Sequence, residues 1–502
     1  MSGDDPGAES TSAATNERTA AARDDGDGRI RSGRLAGKSL SQAIWILAAP
    51  VLLQQILAAF VGFFDKLIGG HLPESIVVPA LDGLGIGTYV GWLIGVAMIG
   101  LGVGGQAIIA RAMGSGRVHE GDAALGQSVL LSIVWGAFIG VLLWWIAYPL
   151  SALADLSPEA TRLCAEYVRM LALGLPFCAV MMVGGMCLHG AGESVKPTTI
   201  AIVVNIVNVL GSWLLSGVEL RLGGTTIPNP SPLDPLVWGV AGIGAGTTIG
   251  YAVGAFMTIW VLARGVKDLR LHARDLAPKK HLSWRIARVG IPSFFEGMTM
   301  WSVGVVVTLF IGMISRRGGD TADAGLIGAH SIAIQWEAFS YLPGYAIGTA
   351  AASLAGQYLG ARNPREARRA IRVCAWLGAI VMSAFGAVFA LFGTELTRTI
   401  SSQPVHLDLV PKCLLICAFA QPFFSLSMTV RQGLRGAGDT AWVFYITLVS
   451  TWGIRLPAAW FLGVHLDWGL PGIWIGLCGE LVIRGLFFLA RFTWGNWTRI
   501  EV

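Results

Sequence analysis

The chain has 502 residues, of which 54% are hydrophobic and 13% are charged, and its formal net charge is +5. Soluble domains carry roughly 25% charged residues, so a single water-soluble core cannot account for this composition. The composition indicates an integral membrane protein.

The first segment, residues 1–38, is rich in Ser, Ala, Asp, Gly and Arg and contains no apolar stretch, which predicts a disordered cytoplasmic tail. Apolar runs of about 20 residues or more then recur, the length that a helix needs to cross a bilayer. They lie near 43–69, 84–113, 126–149, 163–188, 198–217, 238–263, 289–314, 325–358, 372–393, 409–432, 441–463 and 470–491. A membrane barrel would need shorter, alternating segments, so we predict an all-α fold of about twelve transmembrane helices.

The orientation follows from the basic residues, because cytoplasmic loops concentrate Lys and Arg. Arg111, Arg117, Lys196, Arg435 and the clusters Arg264–Arg288 and Arg362–Arg372 follow even-numbered spans. Both termini are therefore predicted to be cytoplasmic, in a multi-pass protein of the plasma or inner membrane. Basic loops beside membrane spans are explained by topology and lipid headgroups, so membrane lipid is an expected partner and nucleic acid is not.

An internal repeat defines the architecture. LPFCAVMMVGGMCLHGAGES (175–194) parallels QPFFSLSMTVRQGLRGAGDT (421–440), and Gly114 parallels Gly360, both at a separation of 246 residues. Pro50 and Pro292 begin the two copies at a separation of 242. Two parallel repeats of six helices are typical of transporters that bind substrate between two lobes.

The predicted division of the chain follows from this repeat. We expect an N-lobe at 39–263, a cytoplasmic linker at 264–288, a C-lobe at 289–492 and a C-terminal tail at 493–502. The proline-rich stretch 218–237 should form an extended outer connection.

A charged residue inside a membrane span is costly, so each one is a functional candidate. Asp65 lies late in span 1 and could carry an ion, although pairing with Lys66 at the helix end is the alternative. Glu296 lies four residues after Pro292 and could bind an ion or a cationic substrate, or make a structural hydrogen bond. Glu480 and Arg484, spaced i, i+4, should pair with each other.

Polar side chains in the spans are candidates for substrate binding. Trp336 and Glu337 place a ring beside a carboxylate, a combination suited to organic cations, and Gln335 directly precedes them. Gln54 lies four residues after Pro50, as Glu296 lies four residues after Pro292. In span 5, Asn205 and Asn208 are amides, and Asn208 shares a helix face with Ser212. These amides could face a cavity or bond neighbouring helices.

Other chemistry has little support in the sequence. There is no Walker A motif and no CxxC pair, so neither an ATP site nor a metal site is predicted, and energy would come from an ion gradient. The glycines of GLGVGG (100–105) and Gly246, Gly250 and Gly254 are predicted to be helix contacts.

The chain resembles the multidrug and toxic compound extrusion (MATE) family, within the larger group of polysaccharide and lipid exporters. The matching motifs are PVLLQQILAAFVGFFDKLIGGHL, ARAMGSG, LHGAGESVKPT, YLPG followed by GQYLGARNPREARR, LRGAGDT and IRLPAAW, which span nearly all of residues 42–492. The resemblance implies a V-shaped, two-lobed exporter of cationic or amphipathic compounds that exchanges them for H⁺ or Na⁺. It assigns ion coupling to Asp65, assisted by Asn208, and to Glu296. We include Ser212 among the ion-coupling candidates because it shares a helix face with Asn208.

Two departures from the family pattern favour H⁺ over Na⁺. Ser212 stands where many members have Asp, and no acid lies near Phe424 in span 10, so few oxygen ligands are available for Na⁺. We therefore expect a monomeric secondary transporter without a cofactor, not an enzyme, that exports small organic substrates. Gln54, Asn205, Gln335, Trp336 and Glu337 would contact the substrate. The alternatives are a lipid-linked precursor flippase and, with less support, a channel.

Overall fold

A computed structural model describes residues 38–153, 157–222, 225–266, 268–317 and 325–500. Residues 1–37 of the predicted tail lie outside this part of the chain, as do residues 501–502.

Six long helices form the first copy of the repeat, and in three of them the side chain of the N-cap residue accepts a hydrogen bond from the first turn. Ser39 and Gln42 form a capping box at the first helix, and Asp234 accepts a hydrogen bond from the Leu236 backbone at the sixth. The helices are α1 (Leu40–Gly69), α2 (Val77–Ser115), α3 (Val118–Ala152), α4 (Pro158–Gly190), α5 (Val195–Ser216) and α6 (Pro235–Arg264).

Six more helices form the second copy. They are α7 (Lys280–Arg317), α8 (Leu326–Gly360), α9 (Pro364–Arg398), α10 (Pro404–Gly436), α11 and α12 (Gly469–Trp494). The α11 helix starts at Thr440–Ser450 and continues through π-helical turns at Thr451–Arg455 and Trp460–His465, which flank the α-helical turn Leu456–Ala459. Such π-turns are uncommon and often accompany functional sites.

The prediction of an all-α membrane protein with twelve helices in two repeats is confirmed for the described residues. By length and composition, ten of the described helices are apolar enough to cross a membrane. The other two are α8, which carries His330 and Glu337, and α11, which the π-turns divide. Several helices are longer than their apolar runs. For example, α9 covers residues 364–398, whereas the predicted span was 372–393. Polar turns beyond the apolar run continue the same helix.

The two connections that the sequence singled out have some regular structure. The outer one contains two short antiparallel strands, β1 (Leu220–Leu222) and β2 (Thr225–Ile227), before α6 begins at Pro235. The cytoplasmic linker contains a 3₁₀ turn at Ala273–Leu276, and α7 begins at Lys280, so residues 280–288 of the predicted linker are helical.

Helix packing repeats from one copy to the other. In the first lobe (α1–α6), α4 packs against α2, α3 and α6, and in the second lobe (α7–α12), α10 packs against α8, α9 and α12. Between the lobes, α2 contacts α7, and α8 contacts α1 in the corresponding way. The helices α2 and α8, which are equivalent in the repeat, also contact each other. The exact lobe boundaries remain a prediction.

The contact between α2 and α8 is a close backbone crossing at the end of the molecule where the even-numbered helices finish, which the basic loops predict to be the inner end. A Cβ atom on Gly114 would collide with the backbone of Gln357, and one on Gly360 would collide with the backbone of Arg111. The separations 360 minus 114 and 357 minus 111 are both 246, so the crossing is symmetric in the repeat. The glycines that reveal the repeat are those that let its copies meet.

Hydrogen bonds join the lobes at this crossing. Gln357 Nε2 donates to the Gly190 carbonyl at 2.8 Å, and its repeat equivalent Arg111 donates through Nη2 to the Ala437 carbonyl at 2.9 Å. Ser353 Oγ donates to the His189 carbonyl at 2.7 Å. We call the crossing and these bonds the inner gate, and in this structure the inner gate is closed.

Replacing Gly114 with Ala should destabilise the protein by about 1–3 kcal/mol, because the added methyl group must separate α2 from α8. The midpoint of thermal unfolding in detergent measures this loss. Gly95→Ala on the same helix is the matched control, since a Cβ atom there meets nothing within 4 Å. Equal midpoints for the two variants would contradict the backbone crossing.

Candidate functional site

Asp65 is buried in the first lobe, with 6% of its surface exposed. The Tyr167 hydroxyl of α4 donates to its Oδ2 atom at 3.1 Å, and the Ser212 hydroxyl of α5 also lies beside this carboxylate. Its Oδ1 atom is buried without a hydrogen-bond partner. No Lys, Arg or His forms an ion pair with Asp65 within the described residues, so its partners there are neutral.

Asn208 and Ser212 lie on one buried face of α5, as their spacing predicted. Asn208 Nδ2 donates to Thr247 Oγ1 at 2.7 Å, and Ser212 Oγ donates to the Ile243 carbonyl at 3.0 Å. The Asn208 Oδ1 atom is buried without a hydrogen-bond partner. This face of α5 is packed closely against α6, because Gly246 lies against the backbone of Ser212.

The predicted glycine contacts explain how these helices approach. Gly246 and Gly250 meet α5, and Gly254 meets Val204 of α5 and Met181 of α4. In the GLGVGG segment, Gly104 lies against the backbone of Ile286 in α7. Both sets are therefore helix contacts, as predicted.

Glu296 has a different environment in the second lobe. It is fully buried and pairs with two arginines of α10: Arg435 Nε lies 3.1 Å from Oε2, and Arg431 Nη1 lies 3.4 Å from Oε1. The Thr447 hydroxyl of α11 donates to Oε1 at 3.2 Å. Glu296 therefore connects α7 to α10 and α11 through charge-assisted hydrogen bonds.

Glu480 is the centre of a second ion-pair cluster. Arg484 Nε lies 3.3 Å from its Oε1 atom, which confirms the predicted i, i+4 pair. Arg455 Nη2 lies 2.7 Å from Oε2, although Arg455 is on α11 and Glu480 on α12. Arg455 thus joins two helices.

Glu337 lines a cavity of about 140 Å³ inside the second lobe, together with Tyr341, Arg431, Arg455 and Arg484. Both ion-pair clusters therefore reach this cavity through their arginines. The cavity could hold a few water molecules or one small polar group.

The remaining candidates for substrate binding are spread over several surfaces. Trp336 is half-buried and donates from Nε1 to the Leu396 carbonyl at 3.1 Å, whereas Gln335 is exposed and lies outside the cavity. Asn205 is half-buried and donates to the Ala201 carbonyl of its own helix at 2.6 Å. Gln54 of α1 is half-buried, and its Oε1 atom has no hydrogen-bond partner.

Several residues of these sites were not predicted from the sequence as site residues. Tyr167 and Thr247 complete the surroundings of Asp65 and Asn208, and Arg431 and Arg435 neutralise Glu296. Arg435, which was counted with the basic residues that follow the spans, is buried in the last turn of α10. The arginines had a usable signal, because their i, i+4 spacing near the end of a hydrophobic helix points both side chains to one face. Tyr and Thr residues are ordinary in such helices and gave no signal.

The described residues contain no group of His, Cys, Asp and Glu that could hold a metal ion. All seven cysteines are buried and unpaired.

Comparison with known proteins agrees with this architecture. A model of the MatE family matches residues 50–214 and 292–461, once in each repeat. The probable multidrug resistance protein NorM of Thermotoga maritima is 26% identical over 456 residues, which cover 91% of this chain and 93% of that protein. The multidrug resistance protein PmpM of Pseudomonas aeruginosa is 26% identical over 463 residues, which cover 89% of each.

Among solved structures, the outward-facing conformation of a multidrug resistance MATE family transporter is similar, with a TM-score of 0.78 and 20% sequence identity. The similarity covers 93% of this chain and 98% of that one. Since the family model matches more than half of the sequence, this chain belongs to the MatE family, whose members are secondary transporters and not enzymes.

Proposed function

We propose that this protein is a proton-coupled antiporter that exports small organic compounds, and that Asp65 carries the proton. The observation that carries the proposal is the unpaired Oδ1 atom of Asp65, a buried acceptor with neutral neighbours. The relatives are called multidrug resistance proteins, which supports multidrug efflux as the activity of this chain.

A buried carboxylate without a cation is costly when it is ionised. Uptake of a proton removes that charge and lets the carboxyl group donate a hydrogen bond as well as accept one. A bound Na⁺ would need several oxygen ligands. In the first lobe Asp65 Oδ1 and Asn208 Oδ1 have no hydrogen-bond partner, and the Ser212 hydroxyl already donates to a backbone carbonyl. These oxygens are fewer than Na⁺ requires, which supports H⁺ as the coupling ion.

The proposed cycle alternates access to the space between the lobes. The inner gate lies at the ends of the even-numbered helices, where the basic loops place the cytoplasm. With this gate closed, the protein opens outward, Asp65 takes up a proton, and a cationic substrate loses its negative partner and leaves. Deprotonation on the cytoplasmic side restores the negative site for the next substrate.

Replacing Asp65 with Asn should lower transport driven by a pH gradient at least tenfold, because the side chain can no longer exchange a proton. The measurement is movement of ethidium in proteoliposomes under an imposed pH gradient, and separately under an imposed Na⁺ gradient. Asp82→Asn, an exposed acid on α2, is the control. Wild-type rates in the Asp65→Asn variant would refute the role of Asp65, and transport driven by Na⁺ alone would refute proton coupling.

For Glu296 the contacts support the structural alternative that the sequence left open. Two arginines and a threonine hydroxyl already satisfy its carboxylate. We propose that Glu296 holds α7 against α10 and α11, and that ion coupling depends on Asp65. The proposed substrate contacts are Glu337 and Gln54, whereas the packing of Trp336 and Asn205 and the exposure of Gln335 give those residues less support.

Glu296→Gln should destabilise the protein by about 3 kcal/mol, since it leaves two buried arginines with one charge-neutral partner. Thermal unfolding in detergent measures the change. Glu366→Gln, which removes a partly exposed pair with Arg369, should cost less than about 1 kcal/mol. If Glu296→Gln retains its stability but uncouples transport from the pH gradient, Glu296 is an ion-coupling residue instead.

One observation supports the alternative function, which is flipping of a lipid-linked precursor. Four buried or nearly buried arginines, Arg431, Arg435, Arg455 and Arg484, lie in the described part of the second lobe and could attract an anionic group. They are largely balanced by Glu296, Glu337 and Glu480, and the cavity beside them measures only about 140 Å³. A lipid headgroup with sugars would need far more space, so export of small compounds is the better-supported function.

A further inference from the structure

A second cavity, of about 440 Å³, lies at the inner end between the two lobes. Its polar walls carry Arg111 at the end of α2, Arg117 before α3, Arg285 on α7 and Arg362 after α8, together with Glu120 on α3. We call these five residues the basic pocket. The first lobe contributes three of them and the second lobe contributes Arg285 and Arg362.

The lining of the basic pocket includes four guanidinium groups and one carboxylate. Glu120 accepts from two of the arginines, with Arg117 Nη1 at 2.8 Å from Oε2 and Arg285 Nη2 at 3.0 Å from Oε1. Arg111 donates to the Ala437 carbonyl across the inner gate. Guanidinium groups therefore dominate the polar lining of this cavity.

The repeat architecture does not require these arginines. At a separation of 246, the positions of Arg111, Arg117 and Arg362 correspond to Gln357, Asn363 and Gly116. At the separation of 242 that relates α7 to α1, Arg285 corresponds to Ala43. The counterpart of the basic pocket has no arginine at any of the four positions. The arginines therefore belong to one side of the inner gate, although the helices on both sides are related by the repeat.

Arg362 also occupies an unfavourable backbone conformation. Its φ angle is +55°, in the left-handed region where residues other than glycine are strained, and its counterpart Gly116 has a φ angle of +76°. The first copy has glycine at this position, which adopts the turn without strain, whereas the second copy has an arginine that lines the cavity. The strained backbone of Arg362 therefore accompanies a positive charge in the cavity wall.

We propose that the basic pocket binds a phosphate-bearing anion, either a free polyphosphate or the headgroup of an anionic lipid, and that the bound anion holds the inner gate closed. Guanidinium groups bind phosphate oxygens in pairs through parallel N–H donors. A volume of about 440 Å³ lies within the range of small-ligand sites, roughly 300–1,000 Å³.

A bound anion would affect the gate because both lobes contribute residues to the basic pocket. Opening of the inner gate moves Arg362 and Arg285 away from Arg111 and Arg117, which divides the pocket. A ligand that contacts both lobes binds the closed state better and shifts the population toward it. This second step rests on the proposed alternation of the lobes, whereas binding of the anion does not.

Binding is tested with inorganic pyrophosphate and the purified full chain in detergent, by isothermal titration calorimetry. Arg362→Gly should weaken binding at least tenfold while the fold is retained, because glycine relieves the turn. Arg117→Gln should also weaken binding. Arg369→Gln, an exposed arginine outside the pocket, should leave affinity unchanged. Equal affinity in the wild type and the Arg362→Gly variant, or no binding by either, would overturn a free polyphosphate as the ligand.

The gate is tested by the rate at which a water-soluble maleimide labels a Ser353→Cys variant, with the parent chain as background. Ser353 is fully buried in the closed gate, so labelling reports its opening. Pyrophosphate should slow labelling several-fold, and this effect should disappear when Arg362→Gly is added.

The source of the anion is decided by repeating the labelling in nanodiscs of phosphatidylcholine with and without phosphatidylglycerol. Slowing by phosphatidylglycerol that requires Arg362 supports a lipid headgroup, and slowing by pyrophosphate alone supports a free anion. If neither slows labelling, the inference is wrong. Slowed labelling in a protein that moves no ethidium would leave this inference standing and overturn the transport proposal.

Discussion

The crossing of α2 and α8 sets the geometry of the whole molecule. Gly114 and Gly360 bring the two backbones into direct contact, so no side chain separates the lobes at the inner end. Both residues recur at one separation in the repeat, which places the same contact on each side of the crossing. The other contacts between the lobes, α2 with α7 and α8 with α1, are arranged around it in equivalent pairs.

The hydrogen bonds of the inner gate use groups that helices leave unsatisfied. The last carbonyls of a helix have no partner within it, and Gln357 and Arg111 donate to carbonyls at the ends of α4 and α10. Water can replace these donors when the lobes separate. Separation of the lobes would therefore leave no buried polar group unpaired at this contact, which agrees with the proposed alternation of the lobes.

The two lobes have the same arrangement of helices but differ in the partners of their buried carboxylates. In the first lobe Asp65 has the hydroxyl groups of Tyr167 and Ser212 as neighbours and keeps one oxygen without a donor. In the second lobe Glu296 and Glu480 are held by arginines, which also line the cavity beside Glu337. A carboxylate with neutral partners can change its charge more readily than one that neutralises buried arginines. The inner end shows the same divergence, since only one side of the crossing carries the basic pocket.

The sequence by itself determined the membrane class, the twelve helices and the two repeats, because bilayer thickness sets the length of apolar runs and close helix crossings require glycine at fixed positions. The spacing of Asn208 and Ser212 also predicted that they share one buried face of α5, whereas their functional link with Asp65 rests on the family resemblance and stays a prediction. Only the tertiary structure decided that Glu296 is paired with Arg431 and Arg435, that Tyr167 reaches Asp65, and that Gln335 is exposed. These contacts join residues far apart in the chain, and they depend on how each helix is rotated against its neighbours, which local composition does not record.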